Sequence, residues 1–264
     1  MEDLNHNLNL VLIILLGMIS GSFITMATYR LAIENRTIKD LLLSPSSCTK
    51  CNHPLRILNL IPIFSWLFQR GKCSFCHDKI SSRYFFIELI STTSFVIIYF
   101  SLGQNLDLKL TLTLLAFIAL FIMIITDLEN YFISNLNQII LFIIAILYHI
   151  FIGFNPQNSL YYYLFSAIFY LLFGILLNFI FKYFFEKDGI GIDDIKFFAI
   201  AGFIIGIEKF AFFMFLSGII GIIFGFIWQK VKKDNMFPFA PALIISLIIS
   251  TAVDFELKRI ISLI

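Results

Sequence analysis

Long apolar runs separated by short polar breaks dominate the chain, and their lengths set the first expectation. A helix that crosses the hydrocarbon core of a bilayer needs roughly 17–25 residues, most of them apolar. The runs predict spans over residues 8–29, 84–102, 108–126, 137–154, 160–185, 195–207, 210–228 and 238–253. The sixth holds 13 residues and the eighth 16, which suits tilted, thin-bilayer or partly re-entrant elements. The expected fold is an all-α polytopic membrane protein of about eight transmembrane helices, with six or seven as the alternatives. One hydrophilic stretch breaks the pattern. The chain therefore divides into a first transmembrane helix at 1–29, a polar domain at 30–83 and a transmembrane remainder at 84–264.

Composition agrees with that division. Of 264 residues, 59% are hydrophobic and 14% charged, against about 45–50% apolar and about 25% charged in soluble domains. The lipid bilayer is the expected partner, and a net charge of +2 gives no reason to expect nucleic acid. Charge matters through its distribution, because Lys and Arg favour cytoplasmic loops. Nine lie in 30–83, and an eight-span arrangement puts Lys182, Lys187, Lys196, Lys230, Lys232 and Lys233 on the same side. The opposite side has Lys109, Lys209, Lys258 and Arg259. Fifteen against four makes 30–83 cytoplasmic and leaves the N-terminus periplasmic or extracellular. The opening MEDLNHNLNL lacks the basic start of a secretory signal peptide, so the first span is expected to stay as an anchor.

The polar domain holds all four cysteines, Cys48, Cys51, Cys73 and Cys76, as two C-x2-C pairs 21 residues apart. In a reducing compartment such pairs are not expected to form disulfides. Each pair can instead wrap a knuckle around one face of a tetrahedral Zn²⁺, giving a closed four-thiolate site. A closed site has no open position for water, so its expected role is structural, and the metal would supply folding energy that a roughly fifty-residue segment without a large core lacks. His53 and His77 adjoin the knuckles and are expected outside the ligand set.

Carboxylates at or within spans are costly and point to function. Here they are Glu88, Asp127, Glu129, Asp193, Asp194 and Asp254. Asp127 closes the third span and Asp193-Asp194 opens the sixth, which puts them at the same depth on the cytoplasmic side. Two carboxylates in a partly dry site tend to share a proton. The ionised one can then activate water while the protonated one polarises a peptide carbonyl. Gly189 and Gly191 would let an extended substrate backbone approach closely. The competing reading is helix capping, for which Asp193 is well placed. Lys196 is expected to meet lipid phosphate or a loop carbonyl. Glu88 can pair with Arg83. Gly17/Gly21 and Gly221/Gly225 are GxxxG pairs, read as close helix packing, with a dimer face as the alternative.

Taken together, these pieces resemble the type IV prepilin leader peptidases, a family of intramembrane aspartic peptidases. The resemblance rests on GSFITMATYRL (Gly21 to Leu31), the double C-x2-C loop through SSRYFFIEL, ITDLENYFISN, GIGIDDIK and FPFAP (Phe237 to Pro241), in that order. Thr25 stands where the family usually has Asn, Ala240 where it has Gly, and Asp193 at the second glycine of G-x-G-D. The resemblance implies Asp127 and Asp194 as the catalytic pair, with Gly189, Gly191 and Lys196 counted as substrate-binding. It implies prepilin or pseudopilin substrates cut at the cytoplasmic face of the inner membrane. It further implies S-adenosylmethionine as donor for methylation of the new N-terminus. The rival readings are another type of intramembrane aspartic protease, and a transporter using the aspartates as a relay.

Overall fold

The computed structural model describes residues 2–32, 46–55, 57–153, 159–186, 189–232 and 236–261, with the side chains of 2–5, 57 and 254–261 left out of the description. Lys187 and Lys233, and the side chains of Asp254, Lys258 and Arg259, therefore lie outside it. Eight helices longer than ten residues occur among the described residues: α1 Glu2–Leu31, α2 Ser82–Ser101, α3 Leu108–Asn130, α4 Asn135–Phe151, α5 Leu160–Phe185, α6 Ile192–Ile205, α7 Phe210–Lys232 and α8 Ala240–Ile261. Five stretches, His6–Leu31, Ser82–Ser101, Leu108–Asn130, Leu160–Phe185 and Ile207–Lys232, are long and apolar enough to cross a bilayer. Asn135–Phe151 and Ala240–Val253 are shorter apolar helices. At 14 residues, α6 is about 21 Å long, short of the ~30 Å hydrocarbon layer. The chain is an all-α, multi-pass membrane protein.

Two compact units divide it, residues 1–118 and 119–264, with the division inside α3. Lipid is as apolar as Leu, so helices in a bilayer associate through close packing at small residues and through polar contacts. In the first unit α1 meets α2 at its glycine pair. A Cβ on Gly17 would lie 2.8 Å from the Thr92 Cα, and one on Gly21 2.6 Å from the Glu88 Cα. Ser91 Oγ donates to the Gly17 carbonyl across the same crossing (3.0 Å). The first GxxxG is thus used inside the chain rather than on an outward dimer face. Ile13, Phe95, Tyr99, Leu110 and Leu114 form a core beside this crossing. Ser81 caps α2 by accepting the Arg83 amide, and Asp107 Oδ1 accepts the Leu110 amide at the start of α3 (2.7 Å).

In the second unit α6 is wrapped by its neighbours. Phe197, Phe198 and Phe203 are almost wholly inaccessible, as expected for a helix apolar all round. Gly202 lets α6 approach α5, where an added Cβ would meet the Ser166 carbonyl and the Tyr170 ring at 2.7 Å. Gly206 ends α6 at φ +75°, a conformation that favours glycine, and its carbonyl accepts the Tyr170 hydroxyl (3.2 Å). Asn137 Nδ2 donates to the Ala119 carbonyl, tying α4 to α3 (2.7 Å). Ala145, Tyr163, Ala167 and Phe203 form the core under α4, α5 and α6.

Candidate functional site

Asp127 lies in the last turn of α3 and is 6% exposed. Its Oδ2 accepts the backbone N–H of Ala240 at 2.8 Å. Ala240 is the first residue of α8, so the carboxylate sits on that helix's positive end, where N–H groups have no partner within the helix. Pro238 and Pro241 have no N–H to give, whereas residue 240 does. The FPFAP stretch therefore does more than start a helix: it presents an amide to Asp127.

Asp194 approaches a second helix start in the same way. Gly191 is the N-cap of α6, with φ −62°, and Asp194 is the third residue after it. From that position a carboxylate can reach back toward the N-cap amide, as in a capping box, and the Gly191 amide is near enough to favour the ionised Asp194. A Cβ on residue 191 would stand 3.0 Å from Asp194 Oδ2. Glycine thus gives the carboxylate room, rather than supplying a left-handed turn. The Asp194 and Asp127 carboxylates lie close enough to interact electrostatically, and each also senses Asp193.

Asp193 differs from expectation. Capping is the competing reading for it, but it is the second residue of α6, past the N-cap, and is absent from the described residues with positive φ. Its carboxylate pairs with Lys196 at 3.0 Å, one turn on, with both side chains partly exposed. Because the helix begins at Ile192, two residues earlier than a cap at Asp193 needs, the third helical position, from which a side chain can reach back to the N-cap, falls to Asp194. Lys196 Nζ also donates to Asn135 Oδ1 (2.6 Å), so its described partners are side chains of this unit. The Gly189 and Ile190 amides are both taken by Asn178 Oδ1 of α5 (3.0 and 3.2 Å), with Gly189 tucked under the Phe181 ring. Gln138, 4% exposed, donates through Nε2 to the Asp193 carbonyl (3.1 Å). The sequence reading did not name Asn178, Gln138 or Asn135. An isolated amide in the apolar run of α5 was the available signal for Asn178.

The four cysteines come together in the first unit. Their Sγ atoms all lie within 4.8 Å of one another, with Cys48 and Cys76 at 3.9 Å, and all four thiols are free. Tetrahedral Zn²⁺ with bonds of about 2.3 Å sets neighbouring sulfurs about 3.8 Å apart, so the donor set and spacing fit that metal. The two knuckles are built alike. The Cys48 and Cys73 amides donate to the carbonyls of His53 and Asp78, and the Asn52 and His77 amides donate back to Cys48 and Cys73. Asn52 and His77 carry the matching positive φ of 54° and 58°. The Cys51 and Lys50 amides pull the Cys48 thiol down to about 7, whereas, against the pull of the Asp78 amide, burial and the neighbouring thiols push Cys76 up to about 12, so the case for a metal rests on the donor set and its spacing. His53 and His77 stand outside the cluster, and the His53 ring lies on Phe75 (centroids 3.5 Å).

Glu88, 7% exposed, joins this polar segment to α2: its Oε2 accepts the amide of Ile63, a residue held at φ +66° (2.6 Å). Arg83, its expected partner, donates to the Thr28 hydroxyl (2.6 Å).

Two family models match the chain. The bacterial peptidase A24 N-terminal domain matches residues 15–102, and the type IV leader peptidase family matches residues 114–226. Among similar proteins is a prepilin leader peptidase/N-methyltransferase of Bacillus subtilis, 32% identical, the alignment covering 89% of this chain and 90% of that protein. Proteins of the same name from Neisseria gonorrhoeae and Vibrio cholerae are 30% and 29% identical. Those alignments cover 90% and 91% of this chain and 89% and 95% of theirs. No solved structure matches. The two models match on either side of residues 103–113, one over the cysteine knuckles and the other over both aspartates, and the chain belongs to the type IV leader peptidase family.

Proposed function

We propose that the protein removes the leader of type IV prepilins or pseudopilins at the cytoplasmic face of the inner membrane, with Asp127 and Asp194 as the catalytic pair, and then methylates the exposed N-terminus. The observation that carries the peptidase reading is that a buried carboxylate, Asp127, held by the backbone amide that starts α8, and a half-buried one, Asp194, in the first turn of α6, sense each other's charge. In this scheme the ionised carboxylate takes a proton from water, and the resulting hydroxyl adds to the scissile carbonyl carbon. The protonated carboxylate donates to the carbonyl oxygen. Collapse of the tetrahedral adduct breaks the C–N bond, and the departing amine takes up the proton. The amide of Ala240 fixes where the Asp127 oxygens point, so less reorganisation is left for the reaction itself. The domain division at 30–83 and 84–264 follows this division of labour, with a metal-stabilised cytoplasmic segment and a membrane peptidase.

Cys48, Cys51, Cys73 and Cys76 would hold Zn²⁺, whose contribution is folding free energy for the loop. The methyl donor would be S-adenosylmethionine. Among the described residues there are helices and isolated bridges but no β-sheet, so a glycine-rich strand–helix cradle does not occur there. The names of the relatives support methylation, and so does the presence of the cysteine loop, which other intramembrane aspartic proteases lack. Neither feature suits a transporter.

A mass-spectrometric assay with purified enzyme, a prepilin and S-adenosylmethionine tests the proposal. The expected product is shorter by the leader and heavier by one methyl group. Shortening alone would remove the methyltransferase half. An intact prepilin, with Asp127→Asn indistinguishable from wild type, would remove the peptidase half.

A further inference from the structure

The second glycine pair, Gly221 and Gly225 on α7, receives rings from the chain itself. A Cβ on Gly221 would lie 2.8 Å from Cε2 of Phe239 and 3.4 Å from its Cδ2, while Gly225 faces Phe237 at 3.4 Å. The two phenylalanines meet edge to face, centroids 6.1 Å apart. The residue after Phe239 is Ala240, whose amide is the one on Asp127. Consecutive Cα atoms are fixed about 3.8 Å apart, and Pro238 and Pro241 hold their own φ near −65°. The two prolines thus remove part of the slack on either side of Phe239 and Ala240. Ala240, Ala242 and Leu243 are fully buried, so the start of α8 cannot slide to relieve a displaced ring. Ring seat and amide are consecutive links of one stiff strap.

We infer that the notch at Gly221 sets the position of the Ala240 amide on Asp127 by seating the Phe239 ring, which makes Gly221 and Phe239 positioning residues for leader cleavage. The inference rests on the reading of Asp127 as a catalytic carboxylate. A methyl group at residue 221 pushes the ring outward, drags the Phe239–Ala240 peptide with it and misdirects the donor. Misplacement of a catalytic group by about 1 Å costs on the order of 10²-fold in rate. Substrate contacts made elsewhere are untouched, so the loss belongs in kcat and not in KM.

The experiment measures kcat and KM for prepilin cleavage, with thermal unfolding in detergent, for Gly221→Ala, Phe239→Leu and the double variant. Gly225→Ala is the control, because its added methyl meets Phe237 only at ordinary contact distance. Gly221→Ala is expected to lower kcat about 10- to 100-fold with KM within about twofold. The smaller Leu side chain leaves room for the methyl, so the double variant is expected to cleave faster than Gly221→Ala alone, a coupling that independent sites do not show. Wild-type kcat in Gly221→Ala, or a double variant no faster than Gly221→Ala, would overturn the inference. Should Gly221→Ala fail to fold, Phe239→Leu alone decides: a kcat loss at unchanged KM supports the strap, and wild-type kcat sinks it. Asp127→Asn is run in parallel. Wild-type cleavage by that variant would instead remove the catalytic reading on which the inference stands.

Discussion

The two cysteine knuckles gather their thiols through backbone bonds between residues four or five apart, whereas the Asp127 carboxylate takes its hydrogen bond from an amide 113 residues along the chain. The knuckles are therefore a local structure, repeated once, that needs only a metal to close it. The carboxylate site is a product of packing. It requires the end of α3, the start of α6, the start of α8 and the notch of α7 to be in place together. A local constellation fails by losing its ligand; an assembled one fails by losing its geometry.

Substitutions can break that contrast. The largest effect is expected at the carboxylates. Asp127→Asn and Asp194→Asn should each lower leader cleavage by on the order of 10³-fold or more, because members of one catalytic unit fail together. Both variants should still insert in the membrane, and the cleavage assay with a membrane-fraction blot checks both points. Next comes the metal. Cys48→Ser/Cys73→Ser should abolish bound zinc, read by elemental analysis, and should expose 46–80 to proteolysis. The local origin of the knuckles predicts that cleavage survives this loss within about tenfold, since structural zinc contributes folding energy rather than chemistry. Full zinc content in the double variant would refute the four-thiolate site. The smallest effect is expected at Asp193, whose pair with Lys196 is partly exposed and worth about 0–1 kcal/mol at most. Asp193→Gly should retain or improve cleavage, within about threefold of wild type once the modest cost of glycine in a helix is included. Activity lost in Asp193→Asn but kept in Asp194→Asn would exchange the roles assigned to the two residues.

The same contrast explains what could be read in advance. Eight apolar runs and two C-x2-C pairs are one-dimensional patterns, so the helix order and the thiol cluster were visible in the sequence. Scarce charge drew attention to Asp127 and the Asp193-Asp194 step, and the family resemblance then singled out Asp127 and Asp194. The hydrogen bond of Asp127 could not be read in this way, because nothing local links residue 127 to residue 240, and the same holds for Asn178 and Gly189. The choice between Asp193 and Asp194 as the capping carboxylate turned on a single position, and helix boundaries inferred from sequence are uncertain by more than that. Gly221 and Gly225 were visible as a small-residue pair, but the pattern is the same whether a helix or a phenylalanine ring fills the groove. For Gly17 and Gly21 it is a helix; for Gly221 it is Phe239.

The brevity of α6 has a consequence for the supply of a reactant. Hydrolysis consumes a water molecule, and the hydrocarbon interior of a bilayer holds almost none. At about 21 Å, against about 39 Å for α5 beside it, α6 cannot reach both membrane surfaces. Its first turn carries Asp194, and Asp193 there is still partly exposed. In the proposed reaction, water would reach the carboxylates from the membrane surface at the end of α6 that carries them, and no pore through the bilayer would be needed.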